Sequence, residues 1–233
     1  MTVTNRTIVI MAKAPRLGSV KTRLAESLSL QAATELYRCL LNDTIALAQA
    51  LDHVEIAMMC PASDVDDLSR AVAKTVPIVP QTGQGLAAGL ASVFHHFATT
   101  GQQRVIAFNS DSPHLPASVL ESAFDVLEAR DLVVGPTHDG GYYLVGARAS
   151  HPDLFASDGM GTANALEALL TRARALGLSL HLTDPFYDID AEGDLTRLAA
   201  ELRFAPARAP RTAVWLKQWG QAVAKLRTGT GDL

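Results

Sequence analysis

The chain has 233 residues, 48% of them hydrophobic and 19% charged, with a formal net charge of −4 and a pI near 5.9. This suits one large globular domain, or one domain with an appendage, and argues against a nucleic-acid partner held by bulk electrostatics. Cys39 and Cys60 are too few for a disulfide framework or a zinc site and read as core thiols. No apolar stretch is long enough for a secretory signal or a bilayer span, so a reducing cytoplasm is the expected compartment.

The run Thr7-Ile8-Val9-Ile10-Met11 reads as a buried strand. Ser19 then reads as the N-cap of a helix. Four cations, Lys13, Arg16, Lys21 and Arg23, crowd this strand-to-helix loop. Lys21 and Arg23 fall in the first turn of the expected helix, where the macrodipole already carries positive partial charge. A helix stabilised only for folding favours Asp or Glu there, whereas an anion on free amides would offset the repulsion. The loop therefore reads as a phosphate or diphosphate site; the alternative is a set of plain solvated charges. Gly-x4-Gly-Lys-[Ser/Thr] is absent, which disfavours P-loop NTPases.

Further along, strands are expected at 54–59, 77–80, 104–109, 132–136, 142–146 and 179–182. A long helix opening near Ser29 carries Leu36, Leu40, Thr44 and Leu47 on one stripe. Other helices are expected at 65–74, 86–98, 117–129 and 163–176. Such alternation predicts an α/β domain with a mostly parallel sheet flanked by helices. The expected exception is one small antiparallel hairpin around Asp139-Gly140-Gly141. This domain is expected to span 1–204. Residues 205–211 (Ala-Pro-Ala-Arg-Ala-Pro-Arg) read as a linker to a C-terminal amphipathic helix bearing Val214, Leu216, Trp219, Val223 and Leu226. That helix is expected to dock on the parent domain or on a partner, a second copy of the chain included, and residues 228–233 to fray.

Ligands of open α/β sheets sit outside the carboxyl ends of the strands. Asp111, in Asn109-Ser110-Asp111-Ser112-Pro113, occupies that place after the 104–109 strand, and turn formation is the competing explanation. Asp188-Ile189-Asp190 also follows a strand and precedes a helix. Residues two apart on an extended segment point the same way, so both carboxylates can face one site. Asp194 reads as part of the start of the final core helix. Mg²⁺ typically takes one or two carboxylates plus phosphate oxygens. Asp111 and Asp190 meet that count if folding joins them, so Mg²⁺ or Mn²⁺ is the expected cofactor.

Four segments occur in order: Ala-Lys-Ala-Pro-Arg-Leu-Gly-Ser-Val-Lys-Thr-Arg-Leu-Ala (12–25), Asn-Ser-Asp-Ser-Pro-His-Leu-Pro (109–116), Gly-Pro-Thr-His-Asp-Gly-Gly-Tyr-Tyr-Leu-Val-Gly (135–146) and Asp-Ile-Asp (188–190). Together they resemble the bacterial GT-A-type glycosyltransferase-like family described as DUF2064, over roughly residues 6–200. More distantly the chain is similar to molybdenum-cofactor and 2-phospholactate guanylyltransferases. The resemblance implies a Rossmann-like GT-A (nucleotide-diphospho-sugar transferase) fold. It implies a nucleotide-phosphate loop of Lys13, Arg16, Gly18, Lys21 and Arg23, with Gln81 and Gly83 beside the nucleotide. It further implies metal ligands at Asp111 and Asp190 and an acceptor side of Asp139, Gly140, Gly141 and Tyr142. Two segments depart from the family pattern. Gln-x-x-Gly-Asp-Leu-Gly-x-Arg is here Gln81 to Gly89, with glycines at 85 and 89 in place of the acid and the arginine. Of Trp-Ser-Thr near 159–162 only Thr162 remains. A different donor or weaker activity is the expectation from these changes.

Other classes fit less well. Gly83-x-Gly85-x-x-Ala88 loosely matches a dinucleotide fingerprint, but it lies mid-chain and leaves the basic loop and the Asp188/Asp190 pair unexplained. A nucleophilic hydrolase lacks Gly-x-Ser-x-Gly, and Ser110 and Ser112 have no evident histidine partner. His95 and His96 cannot share a helix face, and His114 and His138 read as plain loop residues. A catalytically degenerate nucleotide-binding protein, with the Trp215 and Trp219 helix as an interaction face, is the non-enzymatic alternative. The expectation is a metal-dependent transferase acting on a nucleotide or nucleotide sugar and a small-molecule acceptor. Glycosyl transfer is preferred, and nucleotidyl transfer from an NTP with release of pyrophosphate is the runner-up. Lys21 is expected to stabilise phosphate charge, Asp111 and Asp190 to place the ion, and Asp139 to be the candidate general base.

Overall fold

The computed structural model describes residues 5–155 and 164–228. Seven strands form one sheet: β1 (Arg6–Met11), β2 (Glu55–Cys60), β3 (Ile78–Pro80), β4 (Arg104–Asn109), β5 (Leu132–Pro136), β6 (Tyr142–Ala147) and β7 (Leu180–Leu182). Their order is β3-β2-β1-β4-β6-β5-β7. β1 pairs in parallel with β2 and β4, β2 with β3, and β5 with β7. Both faces of the inner strands are buried, which is why they appear as continuous apolar runs. Alternation then divides each strand: Ile8 and Ile10 face one core cluster and Val9 the other, and Ile106 and Phe108 oppose Val105 and Ala107 in the same way.

The expected hairpin exists, but it is not an appendage. β6 is antiparallel to β5 and also to β4, with Ile106 opposite Gly146 and Phe108 opposite Leu144. It therefore lies inside the sheet and alone among the described strands runs against the rest. Gly135 makes room for this packing: a Cβ there would lie 2.4 Å from Cζ of Tyr143.

The helices are α1 (Leu30–Gln49), α2 (Val65–Ala71), α3 (Gly85–Thr99), α4 (Ala117–Val126), α5 (Ala165–Ala175), α6 (Glu192–Phe204) and α7 (Pro210–Thr228). Side chains of α1, α2 and α4 share the cluster of Ile8, Ile10 and Phe108, while α3 and α5 cover the opposite face around Val9 and Val145. Helix α1 is buried on two sides. Tyr37, Leu41 and Ile45 face the sheet, and Ala33, Leu36 and Leu40 meet a third cluster built with Leu195, Leu198 and Leu202 of α6 and Leu216 of α7.

The expected linker at 205–211 contains a short 3₁₀ turn (Pro206–Arg208) and the buried Ala209. Asp43 of α1, itself buried, then caps α7 by accepting from the backbone N–H groups of Arg211 (3.2 Å) and Thr212 (2.8 Å). The rings of Trp215 and Trp219 stack on each other and pack partly against the third cluster. Among the described residues no helix is long and apolar enough to cross a membrane.

The helix expected to start at Ser19 is absent, which is a correction. Gly18 and Lys21 have φ of +73° and +50°, a left-handed backbone that breaks a right-handed helix. The Ser19 hydroxyl donates to the Arg16 carbonyl instead of capping, and only a 3₁₀ turn (Leu24–Glu26) precedes α1. Helix α1 does open as expected, with Ser29 accepting from the Ala32 N–H. Cys60 is buried, whereas Cys39, expected in the core, is only partly buried.

Candidate active site

The order β2-β1-β4 leaves a crevice at the carboxyl ends of β1 and β4, where the chain leaves β1 for β2 and β4 for β5, in opposite directions along the sheet. A cleft of about 550 Å³ opens there, walled by Lys13, Lys21 and Arg23 of the basic loop, Gln81 before α3 and Gly85 at its start, and Asp111 and Asp190. Tyr37, Met59 and Leu86 add apolar surface.

The first part of the loop is pinned by its backbone. The Ala12 N–H donates to the Met59 carbonyl, Lys13 N–H to the Tyr37 hydroxyl, and Ala14 N–H to Asp64. Arg16, expected among the phosphate ligands, is committed elsewhere: its guanidinium bonds Asp64, Asp67 and the Ser63 carbonyl, and it does not line the cleft. Burial works to raise the Asp64 pKa, but the Ala14 amide and the Arg16 guanidinium outweigh it and hold the carboxyl below its usual range. Arg16 and Asp64 thus brace the loop from behind.

The second part delivers Lys21. Its side chain is only 4% exposed, and the ammonium lies 3.1 Å from Asp111 and 2.9 Å from Asp190. Burial disfavours that charge, yet the two carboxylates outweigh it and the Lys21 pKa is raised. Arg23, largely exposed, lies 3.7 Å from Asp190.

Two helices and a strand extension hold the acidic side in place. Tyr37 lies 3.1 Å from the Ser110 hydroxyl, and Thr44 donates to the Ser110 carbonyl, so α1 positions the turn that carries Asp111. Burial, aided by the Asp111 charge, pushes the Tyr37 hydroxyl up to about 12, so it stays protonated and able to donate. Beyond β7 the chain continues alongside β5: Phe186 N–H donates to the Pro136 carbonyl, and Thr137 bridges to Phe186. Ser112 donates to the Tyr187 carbonyl, tying the Asp111 turn to the Asp188–Asp190 segment. Asp194, in the first turn of α6, accepts from the N–H groups of Asp190 and Ala191.

Asp188 faces the same cluster. Burial, with Asp190 and Asp111 nearby, pushes its carboxyl up to about 6. Its alternation with Asp190 marked it in the sequence; its burial could not be read there. The bracing residues Asp64 and Tyr37 left weaker traces, the first in a loop after β2 and the second one position from the Leu36 stripe.

The remaining expected site residues, Gln81 excepted, lie off the cleft wall. Gly18 and Gly83 contribute left-handed turns, with φ of +73° and +80°. Gln81 does reach the cleft; its amide donates to the carbonyls of Gly83 and Gly85, and a Cβ at Gly89 would lie 2.8 Å from its Oε1. Asp139 accepts from the Thr137 hydroxyl and the Gly141 N–H, closing the β5–β6 turn with Gly140 at φ +88°. The Thr137 hydrogen bond leads in holding its carboxyl below the usual range. Asp139, the candidate general base, thus sits in the β5–β6 turn, where the charge of Arg23 also reaches it. Tyr142 is partly buried against the second cluster, with its hydroxyl pKa raised by burial. His114 is no plain loop residue: it is fully buried, 4.8 Å from the Phe186 ring and 4.5 Å from that of Tyr187. The departure at Gly159–Thr162 lies outside the described residues.

Sheet order, single reversed strand and crevice define an α/β fold of the nucleotide-diphospho-sugar transferase and nucleotidyltransferase type. The chain belongs to the DUF2064 family, described as an uncharacterized protein conserved in bacteria, whose profile matches residues 44–162. It superposes with a TM-score of 0.87 on a provisionally assigned nucleotide-diphospho-sugar transferase from Desulfovibrio desulfuricans G20, at 25% identity over 95% of this chain and 98% of that one. Fold-level likeness extends to molybdopterin-guanine dinucleotide biosynthesis protein A of Archaeoglobus fulgidus (TM-score 0.53, 14% identity, 82% and 95% of the two chains). It extends also to 4-diphosphocytidyl-2C-methyl-D-erythritol synthase of Anaerococcus prevotii DSM 20548 (0.54, 12%, 86% and 98%). No curated protein matches the sequence.

Proposed function

We propose that this protein is a transferase that binds the diphosphate of a nucleotide-activated donor in the β1–β4 crevice and passes the donor's sugar to a small acceptor. The observation that carries this reading is the pairing of Lys21 with Asp111 and Asp190, residues far apart in the chain, at the wall of one cleft. The resemblance in fold to the Desulfovibrio protein supports it.

The donor set suits Mg²⁺ or Mn²⁺. Asp111 and Asp190 keep 25% and 39% of their side chains exposed, and phosphate oxygens can complete the coordination of a hard cation. Among the described residues no group of three or more His, Cys, Asp or Glu could hold a metal ion, so tight binding without nucleotide is not expected. When bound, the ion supplies charge neutralisation on the diphosphate as its bond to the sugar breaks. Lys13 and Arg23 meet the phosphates from the loop. The electron pair of the breaking sugar–oxygen bond stays on the leaving phosphate oxygen, where these cations stabilise it, and the acceptor oxygen takes the sugar and loses its proton to solvent. The acceptor approaches from the side of the β5–β6 turn, where Asp139 lies within reach of the charge of Arg23.

A second reading is nucleotidyl transfer from an NTP to a phosphorylated small molecule with release of pyrophosphate. The three cations on the cleft wall favour it, since they suit a triphosphate as well as a diphosphate. The two reactions differ in which bond is aligned with the acceptor. A thermal-shift screen of nucleotides and nucleotide sugars, with and without Mn²⁺, tests both. A ligand that binds the folded state raises the midpoint by linkage. Mn²⁺-dependent stabilisation by one nucleotide sugar is expected, stabilisation by an NTP alone selects the second reading, and no metal-dependent shift with any of them refutes both.

A further inference from the structure

Lys21 is in an unusual position for a residue meant to meet phosphate. Its ammonium is almost wholly withdrawn from solvent and contacts both carboxylates that would hold the ion. Its backbone is left-handed, at φ +50°, a conformation that costs energy for any side chain and persists only where the surroundings enforce it. The carboxylates are in turn fixed by separate elements, Asp111 through Ser110 and α1, and Asp190 through Asp194 of α6. In the free protein part of their charge is thus already offset by a cation belonging to the chain. Lys13 and Arg23, both exposed at the cleft, are placed to meet an incoming anion first.

Resting on the proposed diphosphate and metal site, we propose that Lys21 is a resident counter-ion that keeps that site closed until phosphate arrives. A divalent ion alone must displace the ammonium, leaving it buried without a partner, which is costly. A nucleotide offers the ammonium phosphate oxygens instead. Lys21 then leaves the carboxylates, and the metal takes its place. Metal and nucleotide therefore enter together, and the cleft does not fill with adventitious cations.

The test is Mn²⁺ binding, followed by electron paramagnetic resonance, to the wild type and to Lys21→Gln, each with and without a nucleoside diphosphate. Without nucleotide, Lys21→Gln is expected to bind Mn²⁺ at least tenfold more tightly than the wild type, and to keep that advantage in 0.5 M salt. Long-range repulsion would instead fade with screening, and an advantage that vanishes in salt overturns direct occupancy. Nucleoside diphosphate should raise Mn²⁺ affinity strongly in the wild type. Wild-type binding of Mn²⁺ alone within threefold of the variant overturns the closure and leaves the metal site standing. No Mn²⁺ binding in either protein under any condition overturns the metal site and the closure with it. On the unmodified chain, the nitrogen-15 resonance of the Lys21 ammonium should be unmoved by Mg²⁺ alone and shifted by Mg²⁺ with nucleoside diphosphate. A shift with Mg²⁺ alone contradicts the proposal.

Discussion

Lys21 and Arg16 are two cations of one loop with opposite fates. Lys21 joins Asp111 and Asp190 at the cleft, whereas Arg16 turns away to Asp64 and Asp67. In the sequence they are indistinguishable, because both follow a strand and flank Gly18. What separates them is backbone handedness at 18 and 21 and the position of an acidic loop after β2, neither of which leaves a local pattern. The place of Asp111 was legible for a physical reason: it follows the buried strand β4 at the end where α/β sheets bind ligands. Asp111→Ala should abolish metal-assisted nucleotide binding in calorimetry, and Lys21→Ala should weaken nucleotide binding while leaving the carboxylates open to the metal; the thermal unfolding transition should stay cooperative in both. Arg16→Ala should instead reduce stability by disturbing the loop's brace, with a smaller effect on nucleotide affinity.

At the scale of elements, the strands fall close to where apolar runs of three to six residues put them. The pairing of β6 with β4 did not announce itself, because register between strands separated by a helix is a non-local property. The C-terminal segment repeats this lesson. Alternating Pro and Ala read as a linker to a docking helix; what the sequence did not show is that Asp43, on α1, reaches across 168 residues of sequence to cap α7. Removing a buried cap leaves N–H groups unpaired at a cost of about 1–3 kcal/mol. Asp43→Ala should therefore lower the unfolding free energy in urea by about that amount, and Asp43→Asn by less. A loss below about 0.5 kcal/mol would mean that α7 is held by apolar packing alone.

For the whole molecule, the buried His114 links folding to acidity. Desolvation chiefly, with the charges of Arg197 and Arg208, pulls its pKa from 6.5 to about 3. Between those values the unfolded chain binds a proton that the folded chain does not, so stability falls as pH drops below 6.5. From pH 7.5 to pH 5 the loss attributable to this group is about 2 kcal/mol. Equilibrium denaturation at both pH values should show this slope in the wild type and a flatter one in His114→Leu, and equal slopes would contradict it. The same burial places His114 beneath Phe186 and Tyr187, the residues that lead into Asp188 and Asp190. Acid unfolding and loss of the site should therefore coincide.

For the proposed transfer to occur, nucleotide and ion must meet at the Lys21 cleft. A crystal grown with Mn²⁺ and a nucleoside diphosphate, measured for anomalous scattering from manganese, tests this most directly. The expected result is a manganese peak shared by Asp111, Asp190 and the phosphates, with the Lys21 ammonium moved onto phosphate oxygens. A peak remote from both carboxylates, or a nucleotide bound outside the crevice between β1 and β4, would contradict it.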